Sequence, residues 1–221
     1  MEYAVSSPEP IALAFPFTGT WRVENSPARR VPSHGTEAFG VSHAIDFVAV
    51  EAGSVGRGRS APQTRRTWFG LEAPEVFVGF GQPVLAPMAG EVVAVHDAEP
   101  DHEARRSPLR LMAYALGQAS RARLGTLGLA GNHVAIAIAP SGPFVLLAHL
   151  KQGSAAVRVG DMVEVGQQVG ECGNSGNSTE PHVHVQVSDS IGGIDAKGVP
   201  VTFRAPDGRM WVPGEGEIVT A

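Results

Sequence analysis

The chain has 221 residues, of which 43% are hydrophobic and 18% charged, and its formal net charge at pH 7 is −5. This composition indicates a globular protein with a core and excludes a disordered chain. The negative net charge gives no electrostatic reason to expect a nucleic acid or an anionic membrane as partner. The single cysteine, Cys172, excludes an intrachain disulfide and a zinc site built from cysteines.

Residues 1–38, which contain many prolines and serines, are predicted to form an N-terminal arm with one strand around Thr20–Glu24. No basic segment precedes an apolar run at the start of the chain, and no apolar stretch is long enough to span a membrane. We therefore expect no signal peptide and no integral membrane segment, which predicts a cytoplasmic protein. A true start further upstream would instead make the protein exported or part of the cell wall.

Residues 39–221 are predicted to form one mostly β domain. Ala44–Val50 is an apolar strand that contains one carboxylate, and Pro83–Val95 has the pattern of strand, turn and strand. Asn132–Ile138 and Pro143–Leu150 follow as a hairpin. The high glycine and proline content, 27 and 17 residues, agrees with many turns between short strands.

The β pattern is interrupted at about residues 101–124, where an inserted helix is predicted. Ser107 and Pro108 are typical of a helix start, with proline at the first helical position. Apolar residues then recur at helical spacing, namely Leu109, Leu111, Met112, Leu116 and Ala119. This insertion is expected to pack by its apolar face.

The segment most indicative of function is Pro181–Gln186, which reads Pro-His-Val-His-Val-Gln. Strand side chains alternate with period two, so the imidazoles of His182 and His184 lie on one face. Val183 and Val185 are expected to point to the other side, into a core. Two neighbouring imidazoles can hold a metal, or one can bind metal while the other handles a proton.

Four segments together resemble the lysostaphin-like (LytM-type, M23) zinc metallopeptidases: His43–Asp46, Val84–Val95, Ala148–Leu150 and Ser178–His184. The resemblance covers about residues 40–187. It implies a mostly β, antiparallel lysostaphin-like fold, a β-sandwich or hammerhead domain with a duplicated hybrid motif, into which the predicted helix is inserted. It also implies a zinc-dependent endopeptidase that hydrolyses peptide bonds, mostly in peptidoglycan.

The resemblance carries over a set of site residues. It implies that His43, Asp46 and His184 bind zinc, which leaves one coordination position open for water. It implies that His182 and His149 flank this water. His182 is interpreted as the general base and His149 as the oxyanion or proton-transfer partner, and these two roles can be exchanged.

The first motif departs from the family pattern, in which three residues separate the histidine from the aspartate. Only two residues separate His43 from Asp46, and residues three apart on a strand face opposite sides. His43 can therefore reach the metal only from a turn or bulge before the strand. Otherwise His34, Glu37 or His133 has to replace it, although His34 by itself is expected to be a surface residue. We expect a rebuilt site that retains His43.

Three alternatives remain open from the sequence. A catalytically degenerate member of this family would bind peptide or cell wall without cleaving it. A phosphocarrier would use His149 and His182 for phosphoryl transfer without a metal. A biotinyl or lipoyl carrier is weaker, because neither Lys151 nor Lys197 lies in a matching motif. The sequence predicts no oligomeric state.

Overall fold

The computed structural model describes residues 9–53, 56–107, 125–205 and 207–221. The strands are β1 Ile11–Leu13, β2 Thr20–Glu24, β3 Ile45–Ala49, β4 Pro83–Leu85, β5 Gly90–His96, β6 Asn132–Ala137, β7 Phe144–Leu150, β8 Met162–Val163, β9 Gln168–Glu171, β10 Val183–Ser188, β11 Val201–Arg204, β12 Met210–Trp211 and β13 Ile218–Thr220. The α-helices are α1 Arg65–Phe69 and α2 Gly125–Ala130, and short 3-10 segments span Ala38–His43 and Pro74–Val76. The protein is therefore mostly β, as predicted.

Most of the helix predicted at about 101–124 lies outside the described residues. Its described part, residues 101–107, contains no helix. Helix α2 begins directly after the interval that is not described.

One large sheet organises the molecule. Eight strands lie in the order β13-β2-β3-β10-β7-β6-β5-β8, and every neighbouring pair in this sheet is antiparallel. A three-stranded sheet, β1-β11-β12, and a two-stranded sheet, β4-β9, complete the described architecture. The pairing of β1 with β11 is parallel. The predicted hairpin is confirmed, since β6 and β7 pair along their whole length.

The two faces of the large sheet have different chemistry because side chains alternate along each strand. Val183 and Val185 of β10 enter the main apolar core, as predicted, and Val187 joins them. The opposite face of the same strand presents His184 and Gln186 to a groove. The apolar and polar positions of β10 thus separate into a packed face and a face that is available for chemistry.

The N-terminal arm is built into the sheet and the core. Strand β2 pairs with β3 from Trp21↔Ala49 to Glu24↔Asp46, so the arm supplies a strand beside Asp46. Phe15 and Phe17 join the main core and stack on Phe203 and Trp21, with ring centroids 5.2 and 4.5 Å apart. The division of the chain at residue 38 stays a prediction.

Among the described residues, no helix has the length and apolar character that a membrane crossing requires.

Candidate metal centre

Strands β3 and β10 bring an aspartate and a histidine into direct contact. His184 and Asp46 are opposite each other in the antiparallel register, and cross-strand partners lie side by side on one face. Nδ1 of His184 is 2.8 Å from Oδ1 of Asp46. Both side chains are buried. The predicted association of these two residues is therefore present in the fold.

A third potential ligand comes from the arm. Nε2 of His34 lies 3.1 Å from Oδ2 of Asp46, and the rings of His34 and His184 meet edge to face at 4.9 Å. Ligand atoms of His34, Asp46 and His184 all lie within 4.8 Å of one another. Two imidazoles and one carboxylate in this space form a donor set that suits zinc.

The electrostatics of Asp46 are those of a carboxylate held in its charged form. Burial by itself would raise the pKa of Asp46, but the nearby rings of His34 and His182 and the hydrogen bonds from His184 and His34 outweigh it. The pKa therefore lies well below its ordinary value. The amide of Asn25 also donates to Oδ2 of Asp46 over 2.7 Å. A buried, charged and partly satisfied carboxylate is suited to bind a cation.

His149 reaches the same groove through an irregularity in the sheet. Simple alternation would turn it away from its neighbour Ala148, which lies on the groove face. The register between β6 and β7 shifts there, so that Asn132 pairs with Leu150 while His133 pairs with Ala148. His149 is the extra residue of this bulge, and its φ of 63° is in the left-handed region. The bulge redirects its side chain into the groove.

His149 is held as a neutral imidazole. Burial lowers its pKa well below the ordinary value, and repulsion by His182 and His184 adds to this effect. Its Nδ1 lies 2.9 Å from the carbonyl of Ser175, which can only accept a hydrogen bond. Nδ1 therefore carries the hydrogen and Nε2 has a free lone pair.

His182 stands beside His149 at the start of β10. The two ring centroids are 4.6 Å apart. Nδ1 of His182 donates to the carbonyl of Glu180 over 2.8 Å, and Nε2 is 3.7 Å from Oδ1 of Asp46. Nδ1 therefore carries the ring hydrogen, which leaves a lone pair on Nε2 beside Asp46.

The structure places His43 away from this cluster, which corrects the expectation that it joins Asp46. His43 ends the 3-10 segment before β3 and lines a separate cavity with Glu37 and Lys197. Because His43 still belongs to the 3-10 segment, the turn before β3 does not bring it into the groove that Asp46 lines. Burial lowers the pKa of His43, partly offset by Glu37.

Of the three replacements that the motif mismatch suggested, the structure brings His34 to the site. Glu37 lines the cavity that contains His43. His133 is buried, bonds to the carbonyl of Gly131 over 2.7 Å and stacks on His96. His34 was expected on the surface because nothing local in Pro-Ser-His-Gly marks a ligand; the only sequence signal was the incomplete motif at His43.

The histidine cluster lines a groove with a volume of about 520 Å³. Apolar side chains of Leu129, Leu146 and Ala148 form part of its lining. A larger cavity of about 680 Å³ lies around Arg22 and Glu180, and no histidine of the described residues lines it. Arg22 and Glu24 there form an ion pair of 2.7 Å, so we assign the chemistry to the smaller groove.

A mostly β, antiparallel fold with this histidine and aspartate cluster defines the class of a metallopeptidase-like domain. The model of Peptidase family M23 matches residues 75–201, which is more than half of the chain. The protein therefore belongs to peptidase family M23, and the predicted lysostaphin-like fold is confirmed. The matched segment contains His149, His182 and His184, whereas His34 and Asp46 precede it.

Several solved structures are similar to this chain. The catalytic domain of the antimicrobial peptidase lysostaphin from Staphylococcus simulans is 20% identical, with 72% of this chain and 80% of that chain covered and a TM-score of 0.36. A mutant catalytic domain of the prophage-encoded M23 protein EnpA from Enterococcus faecalis is 24% identical, with 69% and 94% covered and a TM-score of 0.36. The M23 metalloprotease pseudoalterin from the deep sea is 13% identical, with 97% and 96% covered and a TM-score of 0.41. No curated protein matches the chain.

Proposed function

We propose that this protein is a zinc-dependent metalloendopeptidase that hydrolyses peptide bonds, with peptidoglycan-type peptides as the substrate class. The observation that carries the proposal is the grouping of His34, Asp46 and His184 within 4.8 Å, beside His149 and His182 in one groove. The family assignment supports peptidase chemistry at this groove.

The proposed ligand set is His34, Asp46 and His184, so His34 takes the role first expected of His43. Two imidazoles and one carboxylate are donors that zinc accepts, and three protein ligands leave a position for water and substrate. Zinc bound there would lower the pKa of that water and polarise the scissile carbonyl.

The remaining two histidines handle protons in this proposal. His182 acts as general base through its free Nε2, because Asp46 at 3.7 Å stabilises the charge that it acquires. His149 is neutral at rest owing to its lowered pKa, and as the proton-transfer partner it would take up a proton at Nε2 and pass it to the leaving amine. Its Nε2 carries no hydrogen for an oxyanion, so the proton-transfer role is preferred to the oxyanion role.

The alternatives fit this groove less well. A phosphocarrier would place a phosphoryl anion on His149 or His182, and the charged carboxylate of Asp46 would repel that anion. A degenerate peptide-binding protein would share the fold and the groove, but it would not need five polar side chains converging on one point. Zinc content and peptide cleavage separate the metallopeptidase from both alternatives, and phosphoryl transfer to a histidine without metal would identify the phosphocarrier.

The test compares zinc content and peptide cleavage in the wild type, His34→Ala and His43→Ala. We expect about one zinc per chain and cleavage of a glycine-containing cell-wall peptide in the wild type, as for three-ligand catalytic sites. His34→Ala should lose both, whereas His43→Ala should keep both. If His43→Ala lost zinc and His34→Ala kept it, the ligand set would instead be His43, Asp46 and His184. A wild type that binds the peptide but neither binds zinc nor cleaves the peptide would identify a degenerate member.

A further inference from the structure

The metal-binding imidazoles each contact a second buried polar side chain. Ser33 contacts His34, and Gln186 contacts His184. Ser33 and Gln186 are 1% and 2% exposed, so bulk water does not compete for these contacts. They come from different parts of the chain, the arm and strand β10.

The hydroxyl of Ser33 has one hydrogen and three neighbours. Its Oγ lies 2.7 Å from the carbonyl of Ala44, 3.0 Å from that of Val41 and 2.9 Å from Nδ1 of His34. Carbonyl oxygens only accept, so the hydrogen is directed to them and Oγ accepts from His34. The hydrogen of the His34 ring therefore lies on Nδ1, and Nε2, which faces Asp46, can bind a metal.

Gln186 fixes the other ring in the opposite sense. Its Nε2 donates to the carbonyl of Phe39 over 2.9 Å, and this contact sets which end of the amide faces each neighbour. The amide oxygen consequently faces Nε2 of His184 at 3.4 Å and accepts from it. Nδ1 of His184, which faces Asp46, is then the nitrogen that can bind a metal.

We propose that Ser33 and Gln186 are positioning residues that select the imidazole tautomers of His34 and His184 needed for metal binding. The inference rests on the proposed function. The two ring nitrogens beside Asp46 lie 3.1 and 2.8 Å from its carboxylate oxygens, so a bound ion would take the place of these contacts. Buried partners that hold the distal ring nitrogen are worth about 10- to 100-fold in metal affinity.

The experiment measures zinc affinity by competition with a chromophoric chelator. Ser33→Ala and Gln186→Met should each weaken zinc binding by about 10- to 100-fold. Two matched variants remove equally buried hydroxyls that do not contact the ligands. They are Ser26→Ala, from the arm, whose hydroxyl bonds to Pro213, and Ser188→Ala, from β10, whose hydroxyl bonds to Ser190. Both controls should bind zinc with an affinity within about threefold of the wild type, because they leave the hydrogen-bond partners of both ligand rings in place.

Melting with and without zinc separates positioning from folding. In the presence of chelator, Ser33→Ala and Ser26→Ala should both have a lower melting temperature than the wild type, since each loses a buried hydrogen bond. When zinc is added at a fixed concentration, only Ser33→Ala should lose much of the rise in melting temperature that the wild type shows. Nitrogen-15 spectra of the zinc-loaded wild type add a test without substitution. Solvent-protected ring N–H signals are expected at Nδ1 of His34 and Nε2 of His184.

Three results are distinguishable. A wild type that binds no zinc overturns the proposed function and this inference together. Zinc binding and peptide cleavage in the wild type, with Ser33→Ala and Gln186→Met indistinguishable from their controls, overturn the inference and leave the function intact. A spectrum that places the ring hydrogens on the opposite nitrogens also overturns the inference.

Discussion

His182 and His184 are two residues apart and share one face of the sheet, yet their surroundings separate their roles. His184 contacts Asp46 through Nδ1 at 2.8 Å, within the cluster that can hold a metal. His182 is anchored by the carbonyl of Glu180, and its Nε2 lies 3.7 Å from Asp46. In the proposed mechanism, His184 as a ligand and His182 as the base differ by about 0.9 Å in their distance to Asp46 and in which ring nitrogen faces it.

Substitution of each histidine should separate these roles. His184→Ala should lose zinc and activity together, because only two ligands remain. His182→Ala should keep about one zinc and lose activity by about 10²- to 10⁴-fold, the usual contribution of general base catalysis. Zinc content and kcat/KM are measured on the same samples. Full activity in either variant would contradict the mechanism. His96→Ala, at an exposed position, is the control and should keep both zinc and activity.

At the scale of elements, a charged pair connects the long loop after β3 to the segment before the interval that is not described. Arg106 donates to Glu72 from Nε over 2.8 Å and from Nη2 over 2.7 Å. Backbone bonds between Glu72 and Ala104 continue this connection. The Glu72 side chain is 4% exposed, so the pair is shielded from water and from salt. The loop is thus attached to the segment that contains Ala104 and Arg106.

This pair predicts a dependence of stability on pH. Burial by itself would raise the pKa of Glu72, but hydrogen bonds from Arg106 and Thr67 outweigh it and lower the pKa. Since the folded pKa lies below the unfolded pKa of about 4.3, the pair stabilises fully above that value. Its contribution is lost as the pH falls through the folded pKa.

Glu72→Gln should therefore lower the free energy of unfolding at pH 7 by about 1.5–3 kcal/mol, the range for hydrogen bonds to charged groups. The difference from the wild type should shrink as the pH falls below 4.3. Denaturant unfolding across pH values measures it, with Glu75→Gln, an exposed glutamate nearby, as the matched control. A difference that stays constant with pH would show that the charge of Glu72 contributes nothing.

At the scale of the whole molecule, the candidate site joins parts of the chain that are far apart in sequence. His34 comes from the arm, Asp46 from β3 and His184 from β10. Strand β2 of the arm pairs with β3, and β3 pairs with β10. An ion bound by all three would bind the folded chain in preference to the unfolded one. Metal binding should consequently be linked to global stability.

Zinc should raise the melting temperature of the protein and a chelator should reverse the rise. At a free zinc concentration 100 times the Kd, linkage contributes about 2.7 kcal/mol. For a domain of this size this corresponds to a rise of about 5–10 °C. Calorimetry or melting followed by circular dichroism measures it. His34→Ala should show little rise, and a rise of the same size in that variant would remove His34 from the ligand set.

The amino-acid sequence by itself determined the features that depend on local alternation and turns. The strand pattern of β3, the hairpin of β6 and β7, and the separation of Val183 and Val185 from His184 follow from period two, which involves only neighbouring residues. The family resemblance came from the same short motifs. Asp46 came from this resemblance, and the cost of burying a lone carboxylate unpaired in an apolar strand agrees with a ligand role.

Only the tertiary structure decided which residues complete the site. His34 reaches Asp46 because the arm folds back beside β3, a contact between residues that no local pattern connects. His149 faces the groove because a bulge, visible only in the pairing of β6 with β7, reverses its orientation. His43 turns away because it belongs to the 3-10 segment that precedes β3, and it lines a separate cavity there. The positions of His34 and His149 depend on how separate segments pack together, and packing between distant segments is not encoded in any single stretch of sequence.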